Sequence, residues 1–71
     1  MDIHTKPGGK IVVTEESAKS GYKSHQETVR DYLIIGQEYT VKKIYIENWH
    51  TDVYIEEVPG VPFNSVNFKN V

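Results

Sequence analysis

Trp49-His50-Thr51-Asp52-Val53-Tyr54-Ile55-Glu56-Glu57-Val58-Pro59-Gly60, followed by Phe63-Asn64-Ser65-Val66, carries the plainest structural signal in this chain of 71 residues. Val53 and Ile55 alternate with Asp52, Tyr54 and Glu56, the two-residue period of a strand with one buried and one wetted face. That strand is expected from Thr51 to Val58. Pro59-Gly60 places Pro at the second and Gly at the third position of a turn, the type II preference. Phe63 to Phe68 reads as a closing strand, or as a short turn followed by one, with Val66 and Phe68 as core contacts, and Asn48-Trp49-His50 as the turn that enters the segment.

Working outward, Glu38 to Glu47 alternates with a slip. Tyr39 and Val41 share one phase, Ile44 and Ile46 the other, and the three-residue step between Val41 and Ile44 predicts a bulge or bend near Lys42-Lys43. Alternatively the strand is buried on both sides at its end, with Tyr45 covering the second face. Lys10-Ile11-Val12-Val13-Thr14 is rich in β-branched residues and reads as a first strand. Residues 1–9 end in Lys6-Pro7-Gly8-Gly9 without periodicity and are expected to form a flexible arm. Glu15 to Lys23 is polar, is interrupted by Gly21, and reads as a loop. Ser24-His25-Gln26-Glu27 has the spacing of a capping box. Val29, Tyr32 and Leu33 follow at helical spacing, and Gly36 can end the helix in the left-handed conformation. A short helix over 25–34 follows.

Four short strands and one helix within residues 10–71 predict a single small domain, mainly β with one short helix: an SH3-like antiparallel barrel, with an OB-like barrel as the alternative. A chain this short buries only about 60% of the surface of its unfolded form, and it has no Cys for disulfides or thiolate metal sites. His4, His25 and His50 are far apart in sequence for a zinc motif. Oligomerisation is therefore the expected source of added stability, and a homo-oligomer is predicted. No cofactor or metal is expected.

The net charge of −2 makes nucleic acid an unlikely partner, because phosphate clamps need clustered Lys and Arg. Ile44 to Val61 carries Glu47, Asp52, Glu56 and Glu57 and no Lys or Arg, so the aromatic segment is also an acidic one. No apolar run approaches the roughly 20 residues of a membrane span. Met1-Asp2-Ile3-His4 lacks the basic start and apolar stretch of a signal peptide. The chain reads as a cytoplasmic protein with no membrane partner.

Gly21-Tyr22, Tyr32-Leu33, Gly36, Tyr39-Thr40-Val41, Trp49-His50-Thr51-Asp52-Val53-Tyr54, Glu56-Glu57, Pro59-Gly60 and Phe63-Asn64-Ser65-Val66-Asn67-Phe68 resemble a family of small proteins of phages, prophages and bacterial mobile elements. The resemblance covers residues 10–69. It implies an SH3-like fold and a phage-type origin, with the host cell's cytoplasm as the place of action, and it carries over no catalytic residue.

Six residues are candidates for ligand binding. Trp49 and His50, on a loop between strands, can stack on a flat ring and hydrogen-bond to it; the structural reading is that Trp49 plugs one end of the barrel beside Phe63 and Phe68. Tyr54, between Asp52 and Glu56, forms an outward acidic stripe suited either to a partner or simply to solvent. Asn64 either satisfies the backbone of its own loop or offers its amide to a ligand. Tyr22 and Arg30 supply further polar groups, and a guanidinium suits phosphate. Ser20 or Ser24 with His25 and Asp31 form no recognisable hydrolase motif, so no enzyme is expected. Two functions remain. One is a non-enzymatic phage binding protein, an anti-defence factor that sequesters a nucleotide-derived immune signal made by the host; there, phosphate contacts would fall to Arg30, Lys42 and Lys43. The other is a protein-interaction module that inhibits or adapts a host or phage protein.

Overall fold

The computed structural model describes residues 1, 2 and 4–71. Its elements run β1 (Lys10–Val12), α1 (Glu15–Ala18), α2 (Lys23–Tyr32), β2 (Glu38–Ile46), β3 (Thr51–Ile55), β4 (Phe63–Asn64), a 3-10 turn (Ser65–Asn67) and β5 (Lys69–Asn70). The strands form one antiparallel sheet in the order β4-β3-β2-β1-β5. β2, β3 and β4 are consecutive hairpins, while β5 returns to pair with β1. The two edge strands are thus joined by only a few residues, three of them in a tight turn. Flat, a sheet of five strands would separate its edges by about 19 Å at the usual spacing; the short link requires the sheet to curl. The result is the small barrel-like, mainly β fold expected from the sequence, with α2 as its one helix of appreciable length.

The core is apolar and continuous. Ile11 and Val13 of the first strand region, Tyr39 and Val41 of β2, Val53 and Ile55 of β3, and Phe63 and Phe68 are buried. Val29 and Leu33 of α2 close one side. Phe63 meets Phe68 edge to face at 6.0 Å between ring centres, and Tyr32 meets Phe63 at 6.4 Å. The β2–β3 register slips between Val41 and Lys43, where the change of phase placed a bulge. Beyond it Ile44 packs against the core while Tyr45 and Ile46 are exposed. The strand is therefore not buried on both sides. Gly60 takes a φ of +81°, as the third position of a type II turn requires.

Several local expectations fail for identifiable reasons. The segment taken as a loop contains α1, capped by a box between Thr14 and Ser17: the Ser17 N–H donates to Thr14 Oγ1 at 3.0 Å, and the Thr14 N–H donates to Ser17 Oγ at 2.8 Å. Ser stands here where Glu or Gln is the usual signal. Ser24 caps nothing, because α2 has already begun at Lys23 with Tyr22 in the cap position. The helix ends at Tyr32, short of Gly36, which instead has a φ of +89° in a turn closed by the Gln37 N–H donating to the Ile34 carbonyl. The segment from Phe63 to Phe68 is not one strand but a turn leading into a further strand, β5, the second of its two expected forms. Its central 3-10 turn rotates Asn67 fully inward and leaves Val66 45% exposed.

Before β1, the Gly8 N–H donates to the Val41 carbonyl at 2.8 Å, and the Val41 N–H donates to the Gly9 carbonyl at 2.9 Å. The Met1 amino group reaches the Phe68 carbonyl at 3.0 Å. No helix among the described residues is long and apolar enough to cross a membrane.

Candidate functional site

Four of the six sequence-named residues meet in one place. Tyr22, Trp49, His50 and Asn64 line a cleft of about 610 Å3, together with Ser20, Gly21, Thr51, Ser65 and Val66. Three separate segments build it: the corner before α2, the β2–β3 turn, and the junction of β4 with the 3-10 turn. Gly21 makes the corner possible. Its φ is +79°, and a Cβ there would lie 3.0 Å from Val66 Cγ2 and 3.4 Å from Asn64 Nδ2. The turn is closed by the Glu47 N–H donating to the His50 carbonyl at 2.9 Å, which lifts Trp49 clear of the sheet. Trp49 is 86% exposed. It is not a barrel plug; Phe63 and Phe68 fill that role without it.

Two separate hydrogen-bonded pairs flank the cleft, each with its direction set. Asn64 is buried, and its Oδ1 accepts from the Val66 N–H at 3.1 Å. Its amide nitrogen therefore faces His25 Nδ1, 2.9 Å away. An amide nitrogen only donates, so Nδ1 accepts and neutral His25 carries its proton on Nε2. His50 Nε2 lies 2.9 Å from Asp52 Oδ1. A carboxylate only accepts, so His50 donates there, and the neutral ring keeps Nδ1 as an acceptor. The two imidazoles are 5.1 Å apart between ring centres, and Tyr22 stands edge-on to His25 at 5.3 Å. Asn64 thus satisfies its own loop through Oδ1, and its amide nitrogen is bonded to His25 beside the cleft.

His25 is the residue the sequence reading missed as part of this cluster. Its partners Asn64 and His50 are distant in sequence, and the S-x-x-E pattern around it suggested only a helix cap. Proximity of two His does not make a metal centre here. Among the described residues no group of three or more His, Cys, Asp or Glu is placed to hold a metal ion.

Arg30 and Tyr54 lie elsewhere. Arg30 lines a different groove, between α1 and α2, with Glu15, Lys19 and Ile34. Tyr54 pairs with Lys43 across β2–β3 and stacks edge to face with Tyr45 at 5.7 Å. The Lys43 ammonium sits over both rings, at 5.2 Å from Tyr45 and 5.1 Å from Tyr54. The outward stripe is consequently a mixed aromatic and cationic patch with acids beside it, not a purely acidic one. Neither Arg30 nor Lys43 lines the cleft, which contains no Lys or Arg; within one copy they supply no phosphate contact there.

A family model described as Bacteriophage T4 protein Y07B matches residues 10–71. The chain belongs to that family of phage proteins. Neither the curated proteins nor the solved structures include a significant match to it.

Proposed function

We propose that this phage protein is a non-enzymatic binder whose cleft at Tyr22, Trp49, His50 and Asn64 takes a small molecule with a flat heteroaromatic ring. The observation that carries the reading is the convergence of these four side chains from separate segments around a space of ligand size. Trp49 supports it most directly, since a large apolar ring held almost wholly in water on a tight turn contributes nothing to the core. Stacking a base on such a ring contributes roughly 1–3 kcal/mol. His50 lines the cleft with Nε2 held by Asp52, so its Nδ1 is left to accept from a heterocycle's edge. A nucleotide-derived immune signal of the host belongs to this ligand class, and holding it would make the protein an anti-defence factor by sequestration.

Trp49 is the only Trp, so its fluorescence reports occupancy of the cleft without labelling. Titration with nucleosides, cyclic nucleotides and ADP-ribose derivatives is expected to quench it and to release heat for at least one of them. Trp49→Ala should abolish that binding while changing stability by no more than about 0.5 kcal/mol, the usual range for an exposed position. Absence of heat across the whole panel would sink the reading.

The second reading, a protein-interaction module, is favoured by one observation: exposed Tyr45 and Lys43 form an aromatic and cationic patch with half-buried Tyr54 on the hairpin. A stoichiometric protein partner lost on Tyr54→Ala but retained on Trp49→Ala would select it.

A further inference from the structure

The groove between α1 and α2, about 700 Å3, is not used by the proposed ligand site. Ala18, Val29 and Leu33 form its floor, Ile34 and Ile35 one wall, and Lys19 and Arg30 stand beside it with Glu15. Ile34 is 68% and Ile35 51% exposed. The turn they occupy does not need them. Its closing hydrogen bond is made by backbone groups, its left-handed position belongs to Gly36, and the Ile34 N–H is taken by the Tyr39 hydroxyl at 2.9 Å. Polar side chains at 34 and 35 would serve the fold as well. Neither Lys19 nor Arg30 has an ion-pair partner among the described residues.

The molecule also carries an exposed feature of opposite kind. At the β2–β3 tip Ile46 is 64% exposed, Trp49 projects into solvent, and the exposed Glu47 lies between them. No Lys or Arg occurs from Ile44 to Val61. An apolar groove flanked by two cations and a single carboxylate, Glu15, thus has its complement, apolar side chains around a carboxylate, on the same molecule. We infer that the groove receives the Ile46-Glu47 tip of a second copy, with Ile46 against Ile34 and Ile35 and Glu47 facing Arg30 and Lys19. The contact joins two different patches, so it repeats head to tail and closes as a ring when the rotation permits. Arg30 suits this role because its planar fork matches a carboxylate.

Joining two different patches gives a test that a contact of one patch with its own copy would not pass. Ile34→Asp destroys the groove and leaves the tip; Ile46→Asp destroys the tip and leaves the groove. Both positions are exposed, and far-UV circular dichroism checks that each variant stays folded. By native mass spectrometry the wild type is expected to contain more than one subunit, and each variant alone is expected to be monomeric. Mixed, they should give a one-to-one dimer and nothing larger, because one groove and one tip survive between them. Arg30→Glu should weaken assembly at least tenfold, and Arg30→Glu combined with Glu47→Lys should restore it. A monomeric wild type, a single variant that still assembles, or a mixture that does not pair would each overturn the inference.

Discussion

Glu57 shows how one side chain repairs a break in the sheet. Thr40 turns its N–H and carbonyl toward β3, yet β3 ends at Ile55 and only the carbonyl finds a backbone partner, the Glu56 N–H at 2.9 Å. The Thr40 N–H donates instead to the Glu57 carboxylate, at 2.9 and 3.1 Å to its two oxygens, and the Thr40 hydroxyl adds a third bond at 3.0 Å. Lys10 Nζ donates to that hydroxyl at 2.6 Å. Burial pushes the Glu57 carboxyl up, but hydrogen bonds from the backbone N–H groups of Thr40 and of Glu57 itself, then from the Thr40 hydroxyl, and the Lys10 charge outweigh it and hold the group below its usual range. The folded value lies under the unfolded one. Its contribution is therefore complete above the unfolded carboxylate value of about 4.3 and disappears as pH falls through the lower, folded value. Glu57→Gln should lower the melting temperature at neutral pH, and the gap to wild type should close on acidification through that window. Thermal melts in a pH series check this; a gap that stays constant with pH contradicts it.

The elements are joined at one buried polar clasp. Asn67, at the end of the 3-10 turn, donates its amide to the carbonyls of Ser17 and Ser20, each at 3.0 Å, and its own carbonyl accepts from Ser17 Oγ at 2.9 Å. The α1 corner is thereby fastened to the turn between β4 and β5. Asn67→Ala leaves two carbonyls without their donor, at roughly 1–3 kcal/mol for each that stays buried. That is a large share of the stability of a domain this small, and urea denaturation should show a clearly lower midpoint. None of this clasp was legible from the sequence, because small polar residues carry no periodicity and their partners here are 47 and 50 residues away. What could be read were the features with local causes: the alternation of Val53 and Ile55, the bulge near Lys42-Lys43, the Pro59-Gly60 turn. Phe68 was placed in the core, but Val66 was misassigned, since a single 3-10 turn shifts the two-residue phase. For the site, Trp49, His50, Asn64 and Tyr22 were each chosen on separate chemical grounds, and the fold brings them together. Arg30 and Tyr54 were chosen the same way, and they lie apart from the cleft because nothing in residue type encodes which side of the helix or sheet faces it.

At the scale of the molecule, the ligand cleft and the helical groove fit one assembly. The cleft offers a stacking ring and hydrogen-bonding edges but no cation, so a single copy is equipped for the heterocycle of a nucleotide and not for its phosphate. The cations that suit phosphate, Arg30 and Lys19, line the groove. In the assembly inferred above, seating the tip of one copy in the groove of the next would bring a neighbour's Arg30 and Lys19 toward the turn that carries Trp49 and His50, and so would supply charge where the cleft has none. Ile34→Asp tests this coupling, because it removes the groove's apolar wall without touching any residue of its own cleft. If the cation comes from the neighbour, this variant should bind a nucleoside as the wild type does and lose at least tenfold in affinity for the corresponding nucleotide. The lost affinity should also make nucleotide binding less sensitive to salt, since fewer charges then meet the phosphate. Calorimetry with the matched nucleoside and nucleotide at two salt concentrations measures both effects. Equal losses for the two ligands would instead mean that the substitution disturbs the cleft itself, and no loss for either would separate ligand binding from assembly.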